Sequence, residues 1–222
     1  MHLNIPQYIE HTRLSPLITV QEVEQLIHEA LEHQFLGVCI PPYWVKKARR
    51  ELGESDIRLV TVAGFPLGYH RSEVKLQEVN SAIRDGADEC DVVVNLSALK
   101  NQAYDWIKIE ISQLASVLHN HEKVLKVIIE TAYLNDEEIK KVCGVLVDAG
   151  VDYIKTSTGF APEGAKVEQV KLIRSMIPNQ VGIKASGGIR TLAQVRDLIA
   201  AGADRIGTST GLDIIKALKV QN

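Results

Sequence analysis

The chain has 222 residues, 45% hydrophobic and 24% charged, with a formal net charge of -3. That balance suits a globular protein with a sizeable core and excludes the basic surface a nucleic-acid partner would need. The one cationic stretch, Lys46-Lys47-Ala48-Arg49-Arg50, has no interleaved aromatics and reads as a solvated helix face.

Cys39, Cys90 and Cys143 each sit in an apolar run without CxxC spacing, as expected of buried, reduced thiols. Residues 1–6 lack the basic and apolar regions of a signal peptide, and no apolar run approaches the ~18 residues of a membrane span. A soluble cytoplasmic protein with no membrane partner is therefore expected.

Taken in chain order, short apolar, β-branched runs alternate with longer segments of helical period. The runs are residues 36–40, 59–65, 90–95, 124–130, 153–156, 181–185 and 205–208, with an eighth at 8–14. Apolar residues at nearly every position predict parallel strands covered on both faces.

Between them, Thr19 and Glu22 form a capping box ahead of an apolar stripe at Val23, Leu26, Ile27, Ala30 and Leu31. Ser72 is placed to cap a helix bearing Val74, Val79, Ala82 and Ile83, which ends at Gly86. Residues 99–118 read as one long helix. Asn135-Asp136-Glu137-Glu138 opens another, with acids against the helix dipole. Stripes at Val167, Val170, Ile173 and Ile177, at Leu192, Val195, Leu198 and Ile199, and at Leu212, Ile215 and Leu218 complete the set.

Eight βα units in a chain of this length predict an α/β fold, a TIM (β/α)8 barrel, with a doubly wound open sheet as the alternative. No Pro/Gly/Ser-rich linker divides the chain, so one domain over 1–222 is expected. An internal echo supports a repeated unit. Gly150-Val151-Asp152-Tyr153-Ile154-Lys155-Thr156-Ser157-Thr158-Gly159 matches Gly202-Ala203-Asp204-Arg205-Ile206-Gly207-Thr208-Ser209-Thr210-Gly211, and Gly86-Ala87-Asp88 opens a third strand the same way. Lys155 stands where the second copy has Gly207, which leaves room for a ligand near the backbone.

Lys155 and Lys184 each follow an isoleucine near the C-terminal end of a strand, the catalytic rim of a barrel. Alternation puts Tyr153, Lys155 and Ser157 on one face, and Gly182, Lys184 and Ser186 on one face of the next strand. A free lysine titrates near ~10.4, so only about one in a few thousand is a neutral amine at pH 7. A like charge ~4 Å away at an effective dielectric of ~20 costs roughly 4 kcal/mol, enough to bring one lysine near neutrality. A neutral amine attacks carbonyls, and the resulting iminium is an electron sink for breaking or making an adjacent C–C bond. The bland alternative is two lysines that snorkel to the rim or pair with acids. Asp91, inside an apolar run, is costly unless paired, and reads as a salt-bridge partner or a proton shuttle.

Ser186-Gly187-Gly188-Ile189-Arg190 and Gly207-Thr208-Ser209-Thr210-Gly211 follow the last two strands. Such turns, the second opening a helix, are the usual phosphate cradle of this barrel. The seven histidines make no metal-ligand spacing, and no nucleotide fingerprint is present.

The sequence resembles the deoxyribose-phosphate aldolase family over nearly its whole length. The motifs are Glu10-His11-Thr12, Val38-Cys39-Ile40, residues 60–68, Asp91-Val92-Val93-Val94-Asn95, Lys126-Val127-Ile128-Ile129-Glu130-Thr131, residues 153–160, Ile183-Lys184-Ala185-Ser186-Gly187-Gly188-Ile189-Arg190, and Arg205-Ile206-Gly207-Thr208-Ser209. The resemblance implies a class I aldolase on a TIM barrel that reversibly cleaves 2-deoxy-D-ribose 5-phosphate to D-glyceraldehyde 3-phosphate and acetaldehyde. It implies Lys155 as the Schiff-base lysine, Lys184 as the lysine that perturbs it and Asp91 as the proton-relay acid. Gly187, Gly188, Gly207, Ser209, Thr12 and Thr156 are the substrate- and phosphate-binding candidates. No metal or organic cofactor is implied, and a homo-oligomer, dimer or tetramer, is expected.

Several positions depart from the family pattern: Glu10 for Asp, Ser15 for Lys, Pro41 for Asn, Thr210 for Ser, and Tyr69-His70-Arg71 for small residues. No tyrosine lies beyond Tyr153 to serve as a C-terminal tail tyrosine. These bear on substrate preference and rate. The remaining readings are another lysine-dependent sugar-phosphate aldolase, with Tyr69 and His70 reshaping the pocket, and a non-catalytic phosphosugar-binding barrel.

Overall fold

The computed structural model describes residues 3–220. Eight strands close into a barrel in sequence order, each hydrogen-bonded in parallel to the next. They are β1 (Ile9–Thr12), β2 (Gly37–Cys39), β3 (Arg58–Ala63), β4 (Glu89–Val93), β5 (Val124–Ile128), β6 (Tyr153–Lys155), β7 (Gly182–Ser186) and β8 (Arg205–Thr208). The pairing of Glu10 with Gly207 and His11 with Thr208 joins the first strand to the last. That closure excludes the open sheet and gives the (β/α)8 barrel.

The helices outside the barrel are α1 (Val20–His33), α2 (Val45–Leu52), α3 (Ser72–Asp85), α4 (Leu96–Lys100), α5 (Tyr104–His119), α6 (Asp136–Asp148), α7 (Val167–Met176), α8 (Leu192–Ala200) and α9 (Gly211–Val220). Among the described residues no helix is long and apolar enough to cross a membrane.

The main core lies between strands and helices. One face of the strands supplies Ile9, Val38, Leu59, Val92, Leu125, Val127, Ile154, Ile183 and Ile206 to it. The other face turns into the barrel and departs from the all-apolar strands expected. Its apolar part includes the β2–β3 side, where Cys39, Val60 and Val62 meet Leu14 and Phe65, and Val93 and Ile128 at the ends of β4 and β5. The rest carries buried charge: Glu10, Glu89, Asp91, Lys126, Lys155, Lys184 and Arg205. One or two inward charges per strand barely interrupt an apolar run, because their neighbours on either side face outward.

The repeated Gly-x-Asp signature closes the bottom of the barrel. Asp88 Oδ2 accepts from the backbone N–H of Leu59 at 2.9 Å, Asp152 Oδ2 from Leu125 at 2.7 Å, and Asp204 Oδ2 from Ile183 at 2.8 Å. Each aspartate thus caps the start of the preceding strand. Each is also paired with a basic side chain from a helix, Arg49, His119 or Arg174. The preceding glycines, Gly86, Gly150 and Gly202, all have positive φ, the conformation that ends one helix and aims the chain into the next strand.

Three local expectations change. Residues 99–118 are two helices, α4 and α5, broken at 101–103, where Gln102 takes a φ of 56°. Ser72 is the first residue of α3, not its cap; its hydroxyl donates to Glu110 Oε2 at 2.7 Å. On that helix Val74 is exposed, and the neighbouring Lys75 is buried instead, donating to Glu110 Oε1 at 2.7 Å and the Val93 carbonyl at 2.8 Å. A paired lysine inside a helix packs its four-carbon stem like an apolar residue. The 46–50 stretch does lie on a helix, α2, but Arg49 is half-buried on Gly86 and Asp88.

Candidate active site

β6 and β7 run side by side with Lys155 directly opposite Lys184. β4 brings Asp91 between them. Lys155 Nζ donates to Asp91 Oδ2 at 2.9 Å and Lys184 Nζ donates to the same oxygen at 2.6 Å. The three residues singled out from the sequence therefore converge on one atom.

The cluster is wider than those three. Lys126 Nζ lies 3.0 Å from Asp91 Oδ1 and 3.4 Å from Glu10 Oε1, and also pairs with Glu89. Glu10 pairs with Lys184, and its other oxygen is 3.1 Å from Arg205 Nη1. Arg205 reaches Glu89 at 2.7 Å and stacks 4.6 Å over the Tyr153 ring. Lys126, Glu10, Glu89 and Arg205 were not among the predicted site residues. Lys126 carries the same signal that marked Asp91, a charge inside an apolar run. Glu89 and Arg205 begin their strands, where a charge looks like a solvated edge.

The electrostatics follow from burial opposed by pairing. Burial raises the Asp91 carboxyl, but Lys126, Lys155 and Lys184 outweigh it and hold it well below the usual carboxylate range. Burial likewise opposes ionisation of Glu10, yet Lys126 and Lys184 bring it down to about 2. Burial lowers Lys184, and Asp91 and Glu10 reverse that to leave it above an ordinary lysine. Lys126 is raised further by Asp91, Glu10 and Glu89 against the same burial. Lys184 is thus held as an ammonium, and Asp91 Oδ2 stands between it and Lys155.

A cleft of about 610 Å³ opens above this network. Lys155 is on its wall, together with Thr12, Gly187, Gly188, Gly207 and Ser209. Gly187 and Gly188 have φ of 85° and 73°, in the left-handed region where a side chain is strained. Gly207 serves a second purpose: a Cβ there would lie 3.1 Å from Lys184 Cε and 3.0 Å from Ser186 Cβ. Thr156 does not line the cleft. Its hydroxyl is buried against β7, donating to the Ser186 carbonyl at 3.2 Å and accepting from the Ser186 N–H at 3.1 Å. Thr158, Phe160, Arg13, Ser15 and Arg190 are further wall residues that the sequence reading did not assign to the site.

A family model described as DeoC/LacD family aldolase matches residues 5–217. The chain belongs to the DeoC/LacD family of aldolases. It is accordingly a lyase. It is 45% identical over 219 residues to the deoxyribose-phosphate aldolase of Thermococcus gammatolerans, spanning 98% of this chain and 97% of that one. It is 42% identical over 213 residues to that of Lactiplantibacillus plantarum, spanning 96% and 99%. Among solved structures it resembles QR15, an aldolase, with a TM-score of 0.92 at 42% identity over 98% of this chain and 96% of that one. A tetrameric deoxyribose phosphate aldolase from Aeropyrum pernix superposes with a TM-score of 0.91 at 32% identity, covering 98% and 92%.

The departures from the DeoC/LacD pattern fall mostly outside the cleft. Tyr69 and His70 meet edge-on at 5.4 Å on the surface, away from the cleft wall. Pro41 lines a separate apolar groove with Pro42, Phe65 and Phe160. Thr210 Oγ1 lies 3.1 Å from Thr208 Oγ1 and 3.3 Å from the Ile189 carbonyl, so it ties the two glycine turns together. Ser15 is the one small-for-large change on the cleft wall itself.

Proposed function

We propose that this lyase cleaves 2-deoxy-D-ribose 5-phosphate reversibly to D-glyceraldehyde 3-phosphate and acetaldehyde, through a Schiff base on Lys155. The observation that carries the reading is that Lys155 alone among the networked lysines lines the cleft that also holds the glycine turns.

Charge balance favours Lys155 as the amine. Four cations, Lys126, Lys155, Lys184 and Arg205, face three carboxylates, Glu10, Glu89 and Asp91, in one connected set of ion pairs. Lys126, Lys184 and Arg205 each touch at least two carboxylates, whereas Lys155 touches only Asp91. With all four cations charged the set carries one excess positive charge, and it becomes neutral if Lys155, the most weakly paired of them, gives up its proton.

The neutral Lys155 amine attacks the C1 aldehyde of the open-chain sugar, and loss of water leaves an iminium. The C3 hydroxyl loses its proton, the C2–C3 bond breaks, and its electrons flow into the iminium to give an enamine. D-Glyceraldehyde 3-phosphate departs. Protonation of the enamine carbon and hydrolysis release acetaldehyde and the lysine. Asp91 Oδ2, within hydrogen-bond distance of both lysine Nζ atoms, passes protons between Lys155 and Lys184 during these steps. The phosphate is assigned to Gly187, Gly188 and Ser209 beside the N-terminus of α9, where backbone N–H groups and the helix dipole favour an anion. The iminium is itself the electron sink, so the route asks for no metal or organic cofactor.

Borohydride reduction in the presence of acetaldehyde should leave an ethyl group on Lys155, read by peptide mass spectrometry. An unmodified Lys155 with labelling at another lysine would overturn the assignment. Tyr69 and His70 lie off the cleft wall, so nothing favours a different sugar phosphate on their account.

A further inference from the structure

One buried carboxyl beside the site takes no part in the network or in the steps above. Glu130 follows β5, with the chain in the left-handed region at φ 53° and ψ 68°. A non-glycine residue there is strained, and such strain gathers at functional sites. The backbone around it is pinned: Ile129 N–H donates to the Lys155 carbonyl at 3.0 Å and Thr131 N–H to the Thr156 carbonyl at 2.9 Å.

From that fixed point the Glu130 side chain turns to the loop after β6. Oε1 and Oε2 both accept from Thr158 N–H, at 3.2 and 3.3 Å, and Oε2 takes a short hydrogen bond from the Thr158 hydroxyl. Thr158 Oγ1 in turn accepts from the Phe160 N–H at 3.1 Å. Phe160 stands edge-on to Phe65 at 5.3 Å, and the Cα of Gly187 lies 4.0 Å from where a Cβ on Gly159 would be. Thr158, Gly159 and Phe160 all line the cleft. One carboxylate therefore organises the segment that joins the nucleophile to the phosphate turn.

We propose that Glu130 is a positioning residue of the lyase: its carboxylate holds Thr158, and through it the wall formed by Thr158, Gly159 and Phe160, at the spacing from Lys155 and Gly187 that the bound sugar phosphate requires. The proposal rests on the reading of Lys155 as the nucleophile. It makes substrate binding depend on Glu130 being ionised, because a protonated carboxyl loses acceptor capacity toward Thr158. Burial raises the Glu130 carboxyl above its ordinary value, partly offset by the Thr158 hydrogen bonds and by the charge of Lys155 on β6.

The test is steady-state cleavage of deoxyribose 5-phosphate across the acid range by the wild type, Glu130→Gln, Thr158→Val and Thr158→Ser. At pH 8, Glu130→Gln and Thr158→Val should each raise KM about tenfold, the scale of a lost charge-assisted hydrogen bond, with kcat little changed. Thr158→Ser, which keeps the hydroxyl, should restore KM. The ratio of Glu130→Gln to wild-type KM should fall toward one on acidification, since the wild type then also carries a neutral side chain; titration of the substrate phosphate cancels in that ratio. A wild-type KM in Thr158→Val, a loss confined to kcat, or a pH-independent ratio overturns the proposal. Should Glu130→Gln fail to fold, the Thr158 pair decides it alone. Borohydride trapping on the wild type runs alongside: labelled Lys155 with an unmoved KM overturns only the role of Glu130, whereas unlabelled Lys155 overturns the underlying reading.

Discussion

At the scale of residues, the site depends on how one carboxylate is shared between two lysine side chains. Asp91 Oδ2 takes a hydrogen bond from each. Lys184 has a second anchor in Glu10, and Lys155 has the cleft. Replacing Lys184 with leucine removes a fixed positive charge beside the proposed nucleophile and one end of the proposed proton path. The Asp91 carboxyl should rise, since Lys184 is one of the charges holding it down. Lys184→Leu should lose about a hundredfold or more in kcat/KM, the range of a lost acid–base partner. The fold should persist, because Lys126 and Arg205 still hold Glu10. Circular dichroism with steady-state rates checks both, and wild-type turnover would refute the role. The sequence exposed Lys155, Lys184 and Asp91 because each breaks an apolar run. It did not expose Glu10, Glu89 or Arg205 as members, because charges at strand starts are common and their inward direction is invisible without the register.

At the scale of elements, the two halves of the internal repeat do different work with the same backbone. Both begin with a Gly-x-Asp that closes the barrel floor. At the rim β6 presents Lys155 and β8 presents Gly207. That glycine leaves room for Lys184 as well as for a ligand. An added methyl at 207 would press on Lys184 Cε at 3.1 Å, and the lysine has to shift by a few tenths of an ångström. Gly207→Ala should therefore cut kcat by about tenfold to a hundredfold, the usual effect of misplacing a catalytic group. Its thermal midpoint should move little, since β8 keeps its pairing on both sides. Unchanged kcat in this variant would mean that Lys184 has slack the packing does not suggest.

At the scale of the whole molecule, the barrel interior is an ionic lattice in place of the usual apolar filling. Its ion pairs tie β1 to β5, β7 and β8, and β4 to β6 and β8. Removing a carboxylate leaves its cations buried without compensation, which costs about 3–5 kcal/mol. Glu10→Gln should destabilise the fold by about that amount at pH 7, measured by urea unfolding. The pH dependence has a definite sign. Glu10 titrates near 4.5 when unfolded and at about 2 in the fold, so its contribution is complete above the first value and is lost as pH falls toward the second. The gap between wild type and Glu10→Gln should narrow over that window. A gap that is absent at pH 7, or that widens on acidification, would contradict the lattice.

The sequence by itself determined the eight βα units, the glycine turns after β7 and β8, and the two lysines and aspartate at the rim. These are local signals: an apolar run, a helical period, a left-handed glycine or a misplaced charge is legible within a few residues. Closure of β1 on β8, the shared oxygen of Asp91 and the four-cation lattice were decided only in three dimensions. Glu10 and Lys184 stand at opposite ends of the chain, and no local pattern records that a closed barrel brings them into contact. That the cleft reaches Lys155 and not Lys184 was likewise a matter of tertiary structure, because both lysines are buried at neighbouring strand ends.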